Sequence, residues 1–249
     1  MSSEIAIQHA RPVWVKSVYF KDPMKLCGMY WYGDEPRGIF ANMTTRLADL
    51  IIERVKSDNQ CLVVISGPTS SGKSTIALEI IKELCDKLGY DFILDDMYIY
   101  SPEDLARKLK RKCENKINWY DEGSVSLNSL ATTSKTGKLF GQFFDTMRLR
   151  HFISFLCTPE DSEINKRITK HADLYISCPK KAPFLGFQAR GFYHVSYKII
   201  YESGKVWDQF IGTGIFKKLP KKLKEQYEAV KKARNTDFEQ VFIKEVLGE

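Results

Sequence analysis

Gly67-Pro68-Thr69-Ser70-Ser71-Gly72-Lys73-Ser74-Thr75 has the spacing Gly-x-x-x-x-Gly-Lys-Ser of a phosphate-binding loop. The spacing has a mechanical reason. Gly67 and Gly72 reach backbone angles that a Cβ forbids, so the chain can wrap a phosphate group. The loop N–H groups then form a nest for anionic oxygens, and the helix that follows adds the positive end of its dipole. In such a loop Lys73 reaches the β- and γ-phosphates, and the Ser74 hydroxyl ligates Mg²⁺. The cofactors expected from the motif are therefore ATP and Mg²⁺.

The flanks agree with the motif. Cys61-Leu62-Val63-Val64-Ile65-Ser66 is a short, β-branched apolar run of the buried-strand type. Ile76, Ala77, Ile80, Ile81, Leu84, Cys85 and Leu88 then recur at helical spacing over Ser74–Leu88, and Gly89 is placed to cap that helix. A Gly/Ser turn matching the pattern by chance would not need this strand and this helix around it.

Working outward, 249 residues at 43% apolar composition suffice for one large domain, or one domain with an appendage. No run of about 18 uncharged apolar residues is present, so no membrane span is expected. Met1–Ile5 lacks the basic-then-apolar order of a secretory signal. The six cysteines (27, 61, 85, 113, 157 and 178) are scattered and form no Cys-x-x-Cys pair. They read as reduced, buried residues of an intracellular, cytoplasmic protein. The four histidines (9, 151, 171 and 194) have no ligand spacing. The net charge of +7 is uneven. One basic run is Arg107-Lys108-Leu109-Lys110-Arg111-Lys112. A second, within Phe216–Arg234, gathers Lys217, Lys218, Lys221, Lys222, Lys224, Lys231, Lys232 and Arg234 against Glu225 and Glu228. Either is explained by a solvated helix face; joined to a nucleotide-binding core, the pair suits double-stranded DNA.

Residues 1–43 form an aromatic, β-rich extension with short runs at Val13–Val15, Val18–Phe20 and Met29–Tyr32, and turn chemistry over Gly33–Gly38. Residues 44–180 read as the nucleotide-binding core. Thr44–Lys56 is a helix ahead of the loop strand. After the loop helix come a strand at Asp91–Leu94, a helix opened by Ser101-Pro102, and a strand over Lys116–Glu122. A helix over Lys138–Arg150, a strand within His151–Thr158, a helix over Asp161–His171 and a strand over Ala172–Cys178 follow. This alternation predicts an α/β fold with a mainly parallel sheet covered on both faces. Residues 181–249 read as a β-hairpin (187–216), then a basic helix from Pro220 and a last helix over Asp237–Leu247, packed on the core.

Asp121-Glu122 is placed as the second half of the site, because an acid at the C-terminal end of a core strand lies where the ligand crevice opens. Asp121 would hold the metal shell and Glu122 would polarise the attacking water. The bland alternative is a solvated Asp-Glu turn, and Asp95-Asp96 competes for the role, although Met97–Tyr100 continue apolar. Thr158, ending the next strand, is placed to sense the γ-phosphate or the water; equally, it is a turn residue before Pro159. Arg148 and Arg150 are candidates for a guanidinium inserted into a neighbour's site. Their alternative is simple favourable charge at a helix C-terminus. Arg167 and Lys170 are weaker candidates.

Gly67–Thr75, Asp121-Glu122-Gly123-Ser124, Arg148-x-Arg150 leading into Phe152–Thr158, and Ile164-x-x-Arg167-x-x-x-x-x-Asp173 together resemble the HerA/FtsK-like P-loop ATPases. That group includes the Zot-like and viral DNA-packaging ATPases. The hairpin with Leu219-Pro220 and Glu225-x-Tyr227 is similar to small archaeal virus and plasmid ATPases described as DnaA-like. The resemblance implies the additional-strand (RecA-like) branch, with a five-stranded sheet in the order 5-1-4-3-2. It also implies a hexameric ring that translocates double-stranded DNA, an arginine supplied by the adjacent subunit, and a viral or plasmid origin. These ATPases usually carry Gln where this chain has Thr158.

Four functions are weighed on these residues. A Mg²⁺-dependent ATPase coupled to DNA translocation uses every feature. A DnaA-like or AAA+ replication factor would use ATP as a switch. A small-molecule kinase shares Gly-Pro-Thr-x-x-Gly-Lys-Ser, but a Glu that activates water would work against it. A nucleotide-stabilised structural subunit would not need the Asp121-Glu122 pair.

Overall fold

The computed structural model describes residues 12–13, 26–32, 35–40, 42–58, 60–111, 116–121, 151–159, 171–178, 192–200, 206–217 and 219–247. Among them are nine strands: β1 (Pro12–Val13), β2 (Leu26–Tyr32), β3 (Glu35–Phe40), β4 (Cys61–Ser66), β5 (Ile117–Tyr120), β6 (Ile153–Thr158), β7 (Leu174–Ser177), β8 (Phe192–Ile200) and β9 (Val206–Ile215). The helices are α1 (Met43–Asp58), α2 (Lys73–Leu88), α3 (Leu94–Met97), α4 (Pro102–Arg111) and α5 (Lys221–Leu247).

The loop strand β4 lies between β6 and β7, parallel to both, and β5 is parallel to β6. These four are the apolar, β-branched runs read from the sequence, and their order β7-β4-β6-β5 is the expected 5-1-4-3. The fifth expected strand, Asp91–Leu94, is not formed. Leu94–Met97 turns into α3 instead, with Asp95 and Asp96 in its first turn, where carboxylates face the helix dipole. A single parallel bridge, Tyr98 to Trp119, stands at the edge where that strand was expected.

The sheet is also wider than five strands, and mixed. The hairpin β8–β9 is antiparallel within itself and joins β7 antiparallel, pairing Leu174 with Tyr197 and Ser177 with His194. β3 joins β9 at Ile39 and Phe40, and β2 and β1 continue outward, so the whole order is β1-β2-β3-β9-β8-β7-β4-β6-β5. Glu35-Pro36-Arg37-Gly38, read as turn chemistry, is part of β3. Pro36 opposes Trp31 on β2 and lies outside the short β3–β9 pairing, at an edge position where a missing N–H costs little.

Two apolar layers cover the central strands. Alternation along β4 sends Val63 and Ile65 to one face, where they pack with Leu47 and Ile51 of α1, Ile76, Ile80 and Leu84 of α2, and Trp119 and Phe155. Leu62 and Val64 face the other way, against Leu105 of α4, Tyr120, Leu156 and Tyr175. Truncating a buried Leu or Ile of this core to Ala would cost about 2–5 kcal/mol. Ser101 caps α4 as expected: its hydroxyl accepts from Asp104 N at 3.3 Å, while Asp104 Oδ2 accepts from Ser101 N at 3.1 Å.

The two helices expected after Pro220 are one. α5 runs unbroken through Asn235-Thr236-Asp237, which contains neither Gly nor Pro, and Thr236 turns its hydroxyl back to the Lys232 carbonyl at 3.0 Å. Among the described residues no helix is long and apolar enough to cross a membrane. The helix expected over 138–150 lies outside the described residues, as does that over 161–171 except for His171.

Candidate nucleotide-binding site

The loop begins where β4 ends. Gly67 has φ +149° and Gly72 φ +98°, both in the region that favours glycine. A Cβ on Gly67 would stand 2.3 Å from the Cys178 carbonyl oxygen, and one on Gly72 would stand 2.9 Å from the Phe216 ring. Both glycines are therefore required by backbone angle and by space. Ser71 N donates to the Pro68 carbonyl at 3.1 Å, and Ile76 N to the Gly72 carbonyl at 3.0 Å, which closes the turn into α2. Among the described residues no side chain caps α2, so its first N–H groups and its dipole face the loop.

Lys73 Nζ donates to the Gly67 carbonyl at 2.6 Å and the Pro68 carbonyl at 3.0 Å, which places its ammonium on the loop itself. Ser74 Oγ donates to Asp121 Oδ1 at 2.5 Å. The β5–β6–β4 register explains this meeting. Parallel pairing brings the ends of these strands together, with Ser66 beside Thr158 and Tyr120 beside Leu156, so Asp121 emerges next to the loop. Thr158 is fully buried, and its carbonyl accepts from Gly67 N at 3.2 Å. The strand order thus brings Gly67–Thr75, Asp121 and Thr158 together. Glu122, Arg148, Arg150, Arg167 and Lys170 lie outside the described residues. Asp95 and Asp96, the competing acids, belong to α3, and Asp96 lies 3.7 Å from Arg111.

Two contributors are not assigned to the site from the sequence. Tyr227 of α5 donates its hydroxyl to Asp121 Oδ2 at 2.6 Å, and Lys231 Nζ lies 3.5 Å from the same oxygen. Burial, followed by the nearby Asp121 charge, pushes the Tyr227 hydroxyl well above its ordinary value, so it stays protonated and donates. The available clue is the spacing Leu223, Tyr227, Val230 and Arg234, which sets an inward face on an otherwise basic helix.

The fit to a nucleotide and a divalent ion rests on this chain's atoms. The loop wraps at two glycines that leave no room for a Cβ against Cys178 and Phe216, and Ser71 Oγ is buried with no hydrogen-bond partner among the described residues. Ser74 and Asp121 are a hydroxyl and a carboxylate already in contact, the hard oxygen donors that Mg²⁺ prefers. The thiols beside the loop are poor nucleophiles. Burial pushes Cys178 up to about 12 against the opposing Lys73 charge, and Cys157 stands well above its ordinary value, first through burial and then through Asp121.

No family model and no curated protein matches the chain. Among solved structures it is similar to the genome packaging NTPase B204 from Sulfolobus turreted icosahedral virus 2, at 12% identity over 60% of this chain and 96% of that one, with a TM-score of 0.41. It is similar to the N-terminal domain of zonular occludens toxin from Neisseria meningitidis, at 12% identity over 67% and 97%, TM-score 0.36. It is also similar to a KaiC-like protein from the hyperthermophilic archaeon Pyrococcus horikoshii, at 12% identity over 59% and 89%, TM-score 0.34. The assignment of the phosphate loop rests on the geometry of Gly67–Thr75 and Asp121.

Proposed function

We propose that this protein is a Mg²⁺-dependent ATPase that couples ATP hydrolysis to the movement of double-stranded DNA. The observation that carries the reading is the Ser74–Asp121 hydrogen bond, formed beside Lys73 at the mouth of a glycine loop. On this reading residues 44–180 do the chemistry, 181–249 carry the basic surface, and β1–β3 extend the sheet.

Gly67–Thr75 hold the phosphates through backbone N–H groups, and Lys73 adds a point charge to the β- and γ-phosphates. Ser74 and Asp121 would hold Mg²⁺, which would supply positive charge at the phosphate oxygens. Glu122, the next residue after Asp121, accepts a proton from the attacking water. Thr158 senses the γ-phosphate from its place at the loop base. Arg148 or Arg150 is supplied to a neighbouring subunit's site, which requires self-association, most simply a hexameric ring. The protein works inside the cell, in the cytoplasm.

The DNA contact is assigned to α5. Its exposed Lys221, Lys222, Lys224 and Lys232 form a basic surface, although Glu225 and Glu228 lie within 3.8 Å and 3.6 Å of Lys221 and Lys224. A DnaA-like replication factor, with ATP as a switch, is the second reading. It is favoured by the direct contact between this basic helix and Asp121.

Steady-state ATP hydrolysis with and without linear double-stranded DNA separates the two. Strong stimulation, lost when Lys221, Lys222 and Lys224 are changed to Glu, supports the motor. Nucleotide binding with negligible turnover in either condition favours the switch.

A further inference from the structure

Helix α5 is held on the core on either side of Tyr227. Leu223 is buried in the α1/α2 core layer, Val230 packs against the same layer, and Arg234 lies 3.4 Å from Asp104 of α4. Between these anchors stand Tyr227 and Lys231, both directed at one carboxylate. The Tyr227 ring lies 5.4 Å from that of Trp119, tilted by 34°. Trp119 is fully buried, and its indole N–H donates to Cys157 Sγ at 3.4 Å, so the wall behind the tyrosine is fixed. Trp119 precedes Asp121 by two residues on the same strand end.

Asp121 has both oxygens engaged. Oδ1 accepts from Ser74 at 2.5 Å and Oδ2 from Tyr227 at 2.6 Å. Two short bonds from opposite directions fix the rotation of the carboxylate plane. The side chain is only 1% exposed, so its charge needs a nearby cation, and Lys231 at 3.5 Å supplies one. The half-buried Tyr227 hydroxyl is spent on the acid that faces the metal-side serine.

We propose that Tyr227 is a positioning residue for Asp121. It turns the carboxylate so that Oδ1 faces Ser74, with which it would hold the divalent ion, and Lys231 provides the positive charge that the ion would replace. The inference deepens the Mg²⁺–nucleotide reading above and rests on it. The geometry of the metal-side acid then depends on the seating of α5. The exposed lysines of α5 belong to the same helix, so a polyanion that pulls on them acts on Asp121 through Tyr227.

The test is binding of a fluorescent, non-hydrolysable ATP analogue to the full chain, titrated with MgCl₂, for the unaltered protein and Tyr227→Phe. The Phe variant keeps the ring on Trp119 and removes only the hydroxyl. The Mg²⁺ concentration giving half-maximal enhancement is expected to rise about tenfold beyond any change in metal-free affinity, as for loss of a hydrogen bond to a charged group. Should Tyr227→Phe fail to fold, Lys231→Met reads the same geometry with the opposite sign: removing a competing cation should lower the half-maximal Mg²⁺ concentration about threefold. A Mg²⁺ titration of the folded Phe variant matching the unaltered protein overturns the proposal and leaves the nucleotide reading standing, as does an unchanged titration of Lys231→Met where that variant is used instead. An unaltered protein that binds no analogue with or without Mg²⁺ overturns both.

Discussion

Ser74 and Asp121, 47 residues apart, meet through a 2.5 Å hydrogen bond that joins the first turn of α2 to the end of β5. Asp121→Asn keeps the shape and removes the charge. An Asn still accepts from Ser74 but is a weak ligand for a hard dication. Turnover is expected to fall by about 100-fold or more while metal-free nucleotide binding persists, because the loss is in charge stabilisation rather than in the phosphate cradle. Single-turnover rates beside equilibrium binding measure the two separately.

Gly67 is the most constrained residue of the loop. Gly67→Ala places a methyl 2.3 Å from the Cys178 carbonyl at a φ of +149°. The cost is expected at about 3 kcal/mol or more, from strained backbone and overpacking together. Urea unfolding of the variant should show the midpoint lowered with little change in slope, since the surface exposed on unfolding is the same.

Glu79, on α2, supplies a pH dependence. Its Oε1 accepts from Lys217 N at 3.0 Å, and its Oε2 is buried with no partner among the described residues. Burial raises its pKa from 4.5 to about 7, with the Lys217 N–H and then the Lys217 charge opposing. A carboxyl with a raised folded pKa contributes stability that is complete below pH 4.5 and lost as the pH climbs through about 7. Glu79→Gln should therefore match the unaltered protein at pH 4 and exceed it at pH 8, by about 1 kcal/mol once solvent screening is allowed for. Urea midpoints at the two pH values check the sign.

Asp173 ties the start of β7 to its neighbours. It accepts from Leu62 N at 2.9 Å and from the Arg54 guanidinium at 2.9 Å, while its side chain is only 10% exposed. Asp173→Ala leaves a backbone N–H without its acceptor and should cost about 2 kcal/mol of unfolding free energy. Arg54→Ala, removing a partner 43% exposed, should cost about 1 kcal/mol or less. The difference between the two is read from the same denaturation curves.

What the sequence made legible is what is encoded locally. The phosphate loop is nine consecutive residues whose spacing and flanks carry their own mechanics, and four strands announce themselves as short apolar runs. Asp91–Leu94 misled because its apolar residues, Phe92, Ile93 and Leu94, are followed at once by Asp95-Asp96. Those acids suit a helix start, and the chain turns there instead of pairing. The join of the hairpin to β7 was not readable, since β-pairing across the sheet depends on which strand edge is left open. Nor was Tyr227 readable: it lies 106 residues from its partner Asp121, on a helix whose lysines draw attention outward.

The measurement closest to the central claim is Mg²⁺-dependent ATP hydrolysis by the full chain, beside Lys73→Ala, Asp121→Asn and Glu122→Gln. The account predicts turnover that needs Mg²⁺, falls by about 100-fold or more in each variant, and rises with double-stranded DNA only in the unaltered protein. Turnover of the same size in Lys73→Ala and Asp121→Asn would contradict it, since the hydrolysis would then belong to a site other than Gly67–Thr75.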